Sequence, residues 1–180
     1  TGRSIQKPYE NKENGEYFSD FEKRYHNGEL MNADSIKVVD SLKFTTPRGK
    51  IVYGGGGIIP DVFVSIDTTM FFPDFHYPRS REFVFQHFDQ NVNEFEGWSL
   101  DKFLNEFDLD NHIYDDYMES IPSEFTVLND EEEKNFKLYL KALFAQQIFD
   151  INAYFKIVNA QDMMLKRVVQ LNEEGYPLEP

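Results

Sequence analysis

The sequence predicts an α+β fold, with a small β-rich N-terminal part over residues 1–67 and a mostly helical C-terminal domain over residues 68–180. Two observations predict it. Before residue 67, short runs rich in β-branched and aromatic residues are separated by glycine and proline, which is typical of strands and turns. After residue 67, apolar residues recur three and four positions apart, which is typical of amphipathic helices.

The clearest strands of the N-terminal part are residues 42–46 and 50–53, which we expect to form a hairpin. Between them, Thr46-Pro47-Arg48-Gly49 has the composition of a tight turn, because proline presets φ and glycine accepts a left-handed conformation. Residues 4–8 and 62–66 are predicted as two further strands. Tyr17, Phe18, Phe21 and Tyr25 fall at helical spacing, which predicts one short helix that stops near Gly28.

Four consecutive glycines, Gly54 to Gly57, follow the second hairpin strand. A phosphate-binding loop would need a Lys-Ser/Thr pair or a helix directly after the glycines. Ile58-Ile59-Pro60-Asp61 follows instead, so we reject nucleotide binding. We expect Gly55 and Gly56 to adopt backbone conformations that other residues disfavour, in a closely packed passage of the chain.

Three ordered segments of the N-terminal part resemble the carboxy-terminal processing peptidases, also called tail-specific proteases. They are residues 45–61 (Thr-Thr-Pro-Arg-Gly-Lys-Ile-Val-Tyr-Gly-Gly-Gly-Gly-Ile-Ile-Pro-Asp), residues 1–9 (Thr-Gly-Arg-Ser-Ile-Gln-Lys-Pro-Tyr), and residues 27–36 with Asn-Gly-Glu-Leu and Asp-Ser-Ile. The likeness covers residues 1 to about 67. Beyond them the chain has only a general likeness to the helical tails of these enzymes.

The resemblance implies a serine endopeptidase that cleaves proteins near their C-termini with a serine nucleophile and a lysine general base. In the family both groups lie upstream of the matched segments, so no catalytic residue is assigned in this chain. The chain is then a C-terminal piece that completes the protease sheet and adds a helical module. Its expected partners are the rest of the parent protease and, through it, protein or peptide substrates. The family also implies a periplasmic or cell-envelope location.

The helical domain divides into several predicted helices. Ser80 is a candidate N-cap for a helix whose inner face carries Val84, Phe88, Val92 and Phe95, and Ser99 is a candidate N-cap for the next. A third helix begins near Ile113 and is broken by Pro122. A long helix is predicted from Phe136 to Phe155, and a last helix from about Ala160 to Leu171, with Asn159 or Asp162 as its N-cap.

The formal net charge of −14 opposes binding to nucleic acids or anionic membranes. With no cysteine, disulfides and thiolate chemistry are excluded. No apolar run approaches the roughly 20 residues of a spanning helix. Hydrophobic residues make up 41% of the chain, enough for a packed core.

Local motifs give no catalytic, cofactor or metal residue. Ser4-x-x-Lys7 lies in a predicted strand, where side chains three apart point to opposite faces, and Ser99 of Ser99-x-x-Lys102 is better used as an N-cap. The acidic segment from Asp108 and Asp110 to Glu119 lacks the glycine of a calcium loop, with Ile113 at that position. The four histidines, His26, His76, His87 and His112, lack zinc-site spacing.

The alternative function is a non-catalytic helical interaction or oligomerisation module, with a homo-oligomer as its simplest form. Its predicted contact surface is the stripe formed by Leu140, Phe144, Ile148 and Ile151. A stripe this long requires a cover, because large exposed apolar patches are unusual in monomers. We expect the cover to be the helix around residues 84–95 of the same chain, because several aromatic helix faces need partners; a second copy is the other candidate.

Overall fold

A computed structural model describes residues 4–5, 22–38, 40–54, 57–69, 71–109, 112–126 and 128–177. The chain divides into two compact units, Thr1–Ile66 and Asp67–Pro180. The first contains a two-stranded antiparallel sheet, and the second contains most of the helices. The predicted α+β fold with a helical C-terminal part is confirmed.

The sheet of the first unit is the predicted hairpin. Strand β1 is Lys43–Thr45 and strand β2 is Ile51–Tyr53, with Phe44 opposite Val52. In the turn, the Gly49 N–H donates to the Thr46 carbonyl at 2.9 Å, and the Thr46 N–H donates to the Lys50 carbonyl at 2.8 Å. Gly49 has φ +87°, a left-handed conformation that glycine adopts without steric cost. The tight turn predicted at residues 46–49 is therefore confirmed, with glycine in the left-handed position.

The glycine run follows β2. The Gly54 N–H donates to the Leu42 carbonyl at 2.9 Å, which extends the pairing by one residue. Gly55 and Gly56 lie outside the described residues, and Gly57 has φ +99°. Past the run, the Asp61 carboxylate lies 2.6 Å from the Lys50 ammonium. This ion pair links the residue before β2 to a residue beyond the glycine run.

The predicted strand at residues 62–66 is wrong. These residues have no regular structure, and the Ile66 N–H donates instead to the Leu30 carbonyl at 2.8 Å. The β-branched run met the local criterion for a strand, but pairing depends on a neighbour that local sequence does not specify. Residues 22–26 are helical, as predicted. The remainder of that predicted helix, residues 17–21, lies outside the described residues, as do residues 6–8 of the predicted first strand.

The second unit contains six α-helices among its described residues. In chain order they are α1 His76–Gln90, α2 Leu100–Glu106, α3 Ile113–Glu119, α4 Asp130–Ile148, α5 Ile151–Val158 and α6 Met163–Glu173. Two 3-10 turns, Val92–Phe95 and Ser123–Phe125, connect them.

Four helices begin at side chains that accept hydrogen bonds from the first turn: α2, α4, α5 and α6. Ser99 accepts from the Lys102 N–H at 3.2 Å, and Asp162 accepts from the Met164 N–H at 2.7 Å, which confirms both predicted N-caps. At α4, Asn129 and Glu132 form a reciprocal capping box. Such caps satisfy backbone donors that have no partner within the helix.

The predicted N-cap at Ser80 is wrong. Helix α1 begins at His76, and Pro78 lies in its first turn, where its missing N–H would have had no partner in the helix. Ser80 is buried in the next turn, and its hydroxyl donates to the His76 carbonyl at 2.6 Å. Proline at this position is compatible with a helix start.

The prediction of one long helix from Phe136 to Phe155 is also wrong, because the helix ends at Ile148. Asp150 accepts hydrogen bonds from the Asn152 N–H at 2.8 Å and the Ala153 N–H at 2.9 Å, and thus starts α5. These bonds, the one from Ala153 foremost, lower the pKa of Asp150. The apolar spacing continued across this break, so periodicity alone did not reveal it.

Helix α4 is the centre of the second unit, where it packs against α1 and α5. One face is buried, with Phe136, Leu140 and Phe144 fully inaccessible. The Phe144 ring lies 5.5 Å from the His87 ring and 5.2 Å from the Phe107 ring, centroid to centroid. The predicted cover by residues 84–95 is thus confirmed for Phe144. Leu140 is buried within the chain, Ile148 is half-buried and Ile151 is exposed.

We expect Phe144→Ala to lower the free energy of unfolding by about 3–5 kcal/mol, because it leaves a cavity in a closed core. Phe85 has 58% of its surface exposed, so Phe85→Ala should change the free energy of unfolding by less than about 0.5 kcal/mol. Denaturant unfolding measured at several protein concentrations checks both. A loss for Phe144→Ala that varies with concentration would contradict the intramolecular cover.

Candidate functional site

The Ser99-x-x-Lys102 pair is not arranged for catalysis. Ser99 caps α2, while the Lys102 ammonium lies 4.5 Å from the centroid of the Trp98 ring. The lysine charge is therefore directed to an aromatic face rather than to the serine hydroxyl. The other pair includes Lys7, which lies outside the described residues.

The acidic segment is not gathered around a metal position. Asp108 and Glu119 are exposed, and Asp110 lies outside the described residues. Among the residues that the structure describes, no three His, Cys, Asp or Glu side chains are grouped so that they could hold a metal ion.

The four histidines lie apart and in different surroundings. His26 is exposed in the first unit, with Nδ1 2.7 Å from the Glu22 carbonyl. His112 is exposed before α3 at φ +71°. His87 packs on Phe144, and His76 is fully buried at the start of α1. Of the four, His76 has the most unusual environment.

His76 forms a buried polar contact within the aromatic core. Its Nδ1 lies 2.9 Å from the Tyr117 hydroxyl, and its ring centroid lies 4.9 Å from that of Phe136. Within the described part of the chain, Nε2 is buried and makes no hydrogen bond. Burial lowers the pKa of His76. Burial also raises the pKa of Tyr117, so both groups are held neutral.

A cleft of about 340 Å³ opens beside the ring of His87. Its lining includes the aromatic residues Phe95, Phe107 and Trp98. It also includes four acidic residues: Glu94, Glu106, Asp108 and Asp116. Carboxylates of one sign around a cleft raise the local concentration of cations. The cleft therefore favours positively charged ligands over anionic ones.

A second cleft, of about 420 Å³, lies along α4 and includes Lys134, Lys137 and Lys141. The Lys141 ammonium donates to the Leu104 carbonyl at 3.1 Å and the Phe107 carbonyl at 2.8 Å, at the C-terminal end of α2. Burial lowers the pKa of Lys141, and Asp108 partly offsets this. Lys141 thus satisfies carbonyls that have no partner within α2, which is a structural role.

Helix α6 carries several exposed large apolar side chains. Among its eleven residues, all of which the structure describes, none is buried. Val168 is 60% exposed and Val169 is 57% exposed, and three further large apolar side chains are also exposed: Met163, Met164 and Leu165. We call Met164, Leu165, Val168 and Val169, which share one side of the helix, the α6 face. Exposed patches of this kind mark interaction sites.

The sequence reading predicted this helix but placed the contact surface on α4 instead. Helical spacing showed that α4 and α6 both carry apolar residues, yet it did not show which of them the fold covers. The available signal was the extent of the apolar positions in α6, where residues 163–165 and 168–169 lie on more than one side of the helix.

The sequence profile of a family of unknown function, DUF8443, matches residues 79–150. The match covers less than half of the chain. It runs from the first turn of α1 to the N-cap of α5, so the α6 face lies outside it. No curated protein matches the chain, and no solved structure matches it.

None of the helices that the structure describes combines the length and apolarity needed to cross a bilayer.

His76 predicts a pH dependence of stability. Because its folded pKa lies below the ordinary value of 6.5, the unfolded chain binds the proton more tightly. The stabilisation is complete above pH 6.5 and is lost as the pH falls towards the folded pKa, at no more than about 1.4 kcal/mol per pH unit. Denaturant unfolding followed by circular dichroism between neutral and mildly acidic pH measures this loss.

His76→Gln should remove this part of the pH dependence, whereas His26→Gln, in an exposed position of the first unit, should retain it. The same decline in His76→Gln as in the parent chain would assign the effect to another group.

Proposed function

We propose that the chain is the C-terminal portion of a serine endopeptidase of the carboxy-terminal processing type. The observation that carries the proposal is the ordered set of three segments, residues 1–9, 27–36 and 45–61, which resemble that family. In this proposal the first unit completes the protease sheet, and the parent enzyme supplies the serine and the lysine upstream.

The hairpin has features of a sheet that continues beyond its two strands. β1 and β2 are three residues each, and a lone hairpin of this kind is marginally stable in water. Ile51, Ile58 and Ile59 of the 45–61 segment are exposed, Ile58 at 70%. Pairing with further strands and covering these side chains would stabilise the hairpin, which supports its placement at the edge of a larger sheet.

The second candidate function is a helical interaction module, and the α6 face favours it. An apolar helix left exposed supports a binding surface, whereas a wholly buried one would support a closed structural cap. The two functions are compatible, because the exposed helix belongs to the second unit and the protease-like segments belong to the first.

The 180-residue chain alone should have no peptidase activity. Ser99→Ala should instead cost about 0.5–2 kcal/mol of stability, because it removes the N-cap of α2. An assay with an unfolded protein substrate and a thermal melt measure the two effects separately. Turnover by the chain that Ser99→Ala abolishes would contradict the proposal.

A longer polypeptide that extends upstream to the family's serine and lysine should cleave unfolded proteins. In that polypeptide, Val52→Pro should reduce cleavage by about tenfold or more, because proline removes a ladder hydrogen bond from β2 and disturbs the sheet. Phe85→Ser, at an exposed position of the helical unit, is the matched control and should retain activity. An inactive longer polypeptide with an intact fold would overturn the proposal.

A further inference from the structure

We propose that the α6 face binds a second copy of the chain, with the two α6 helices antiparallel about a two-fold axis beside Val169. This inference goes beyond the protease proposal and does not depend on it. It rests on the exposure of the α6 face, on the local charge balance and on the spacing of two charged residues.

The charge balance around α6 differs from that of the whole chain. Residues 151–177 contain three basic and three acidic side chains: Lys156, Lys166, Arg167, Asp162, Glu173 and Glu174. The chain as a whole has a formal net charge of −14. Two such chains repel each other over most of their surfaces, so a locally neutral apolar face is where they can approach at the lowest electrostatic cost.

The spacing of Lys166 and Glu173 matches an antiparallel pair. They are seven residues apart, about two helical turns, and therefore lie along the same edge of α6. Val169 lies between them, three residues after Lys166 and four before Glu173. If the axis passes beside Val169, Lys166 of each copy faces Glu173 of the other, which gives two symmetry-related ion pairs.

The same register places apolar side chains at the centre of the contact. Val168 and Val169 lie next to the axis, and Met164 and Leu165 extend the contact by one turn on either side. The result is a small apolar core with a charged rim, which is the usual anatomy of a protein interface.

Charge argues against a lipid surface as the occupant. Lys166 and Arg167 are accompanied by Glu173 and Glu174 on the same short helix, and the rest of the chain is acidic. Membrane-binding helices instead combine their apolar face with an excess of basic residues.

Sedimentation equilibrium of the 180-residue chain over roughly a hundredfold range of concentration tests the proposal, because a dimer dissociates on dilution. The expected result is a monomer–dimer equilibrium in which Val168→Asp weakens association by about a hundredfold or more. Phe85→Asp is the matched control, because Phe85 is exposed to a similar extent, 58% against 60%, on α1. It should leave the association constant unchanged.

The register has its own test. Lys166→Glu and Glu173→Lys should each weaken association by about tenfold, because each places like charges opposite one another. The double variant should restore it, since the opposite charges again face each other. A dimer held by unspecific apolar contact would not show this rescue.

A cross-link tests the axis even if Val168→Asp fails to fold. The chain has no cysteine, so Val169→Cys introduces a single thiol. Under mild oxidation it should form a disulfide-linked dimer, whereas Phe85→Cys should not.

Four results would overturn the proposal. They are a wild-type chain that stays monomeric throughout, association that survives Val168→Asp in a folded variant, a double charge variant that does not recover, and equal cross-linking of both cysteine variants. Binding of the monomeric wild type to phosphatidylcholine–phosphatidylglycerol vesicles, lost in Val168→Asp, would assign the face to a lipid surface instead. These outcomes are independent of any peptidase measurement, so they are distinguishable from a failure of the proposed function.

Discussion

The burial of one face of α4 is the constraint on which the helical unit depends. Phe136, Leu140 and Phe144 are fully inaccessible on a single helix. Around them lie aromatic rings from α1 and α3 and the ring of Phe107, the residue after α2. Because these neighbours reach α4 from different parts of the chain, their positions are fixed only when α4 is in place. The capping box at Asn129 and Glu132 then fixes the N-terminal end of α4. The hydrogen bonds of Lys141 hold the end of α2 against it.

Polar atoms within this core are tolerated because most of them are paired. The Tyr117 hydroxyl pairs with His76, and the Ser80 hydroxyl donates to a carbonyl of its own helix. The exceptions in the described part of the chain are His76 Nε2 and the Tyr139 hydroxyl, both buried and without a hydrogen bond. An unpaired buried polar atom costs stability, so these two positions are weak points of an otherwise apolar core.

Features set by nearby residues could be predicted from the sequence, and features set by distant ones could not. The hairpin turn ending at Gly49 and the N-caps at Ser99 and Asp162 depend on residues within a few positions. The strand expected at residues 62–66 needed a neighbouring strand. The helix start at Asp150 is an exception, because its hydrogen bonds are local but the apolar spacing that continues across it concealed the break. The sequence suggested an interaction surface but placed it on α4, since which of two apolar helices is covered is decided by tertiary packing.

Because the single tryptophan lies in the second unit, tryptophan fluorescence can follow that unit separately from the first. Trp98 is half-buried between α1 and α2, beneath the Lys102 ammonium and about 6 Å from the rings of Phe95 and Phe103. Emission excited selectively from tryptophan therefore reports on the packing of the second unit. The first unit has only tyrosine and phenylalanine and contributes no tryptophan emission. The native chain thus carries an optical label that separates the melting of one unit from that of the other.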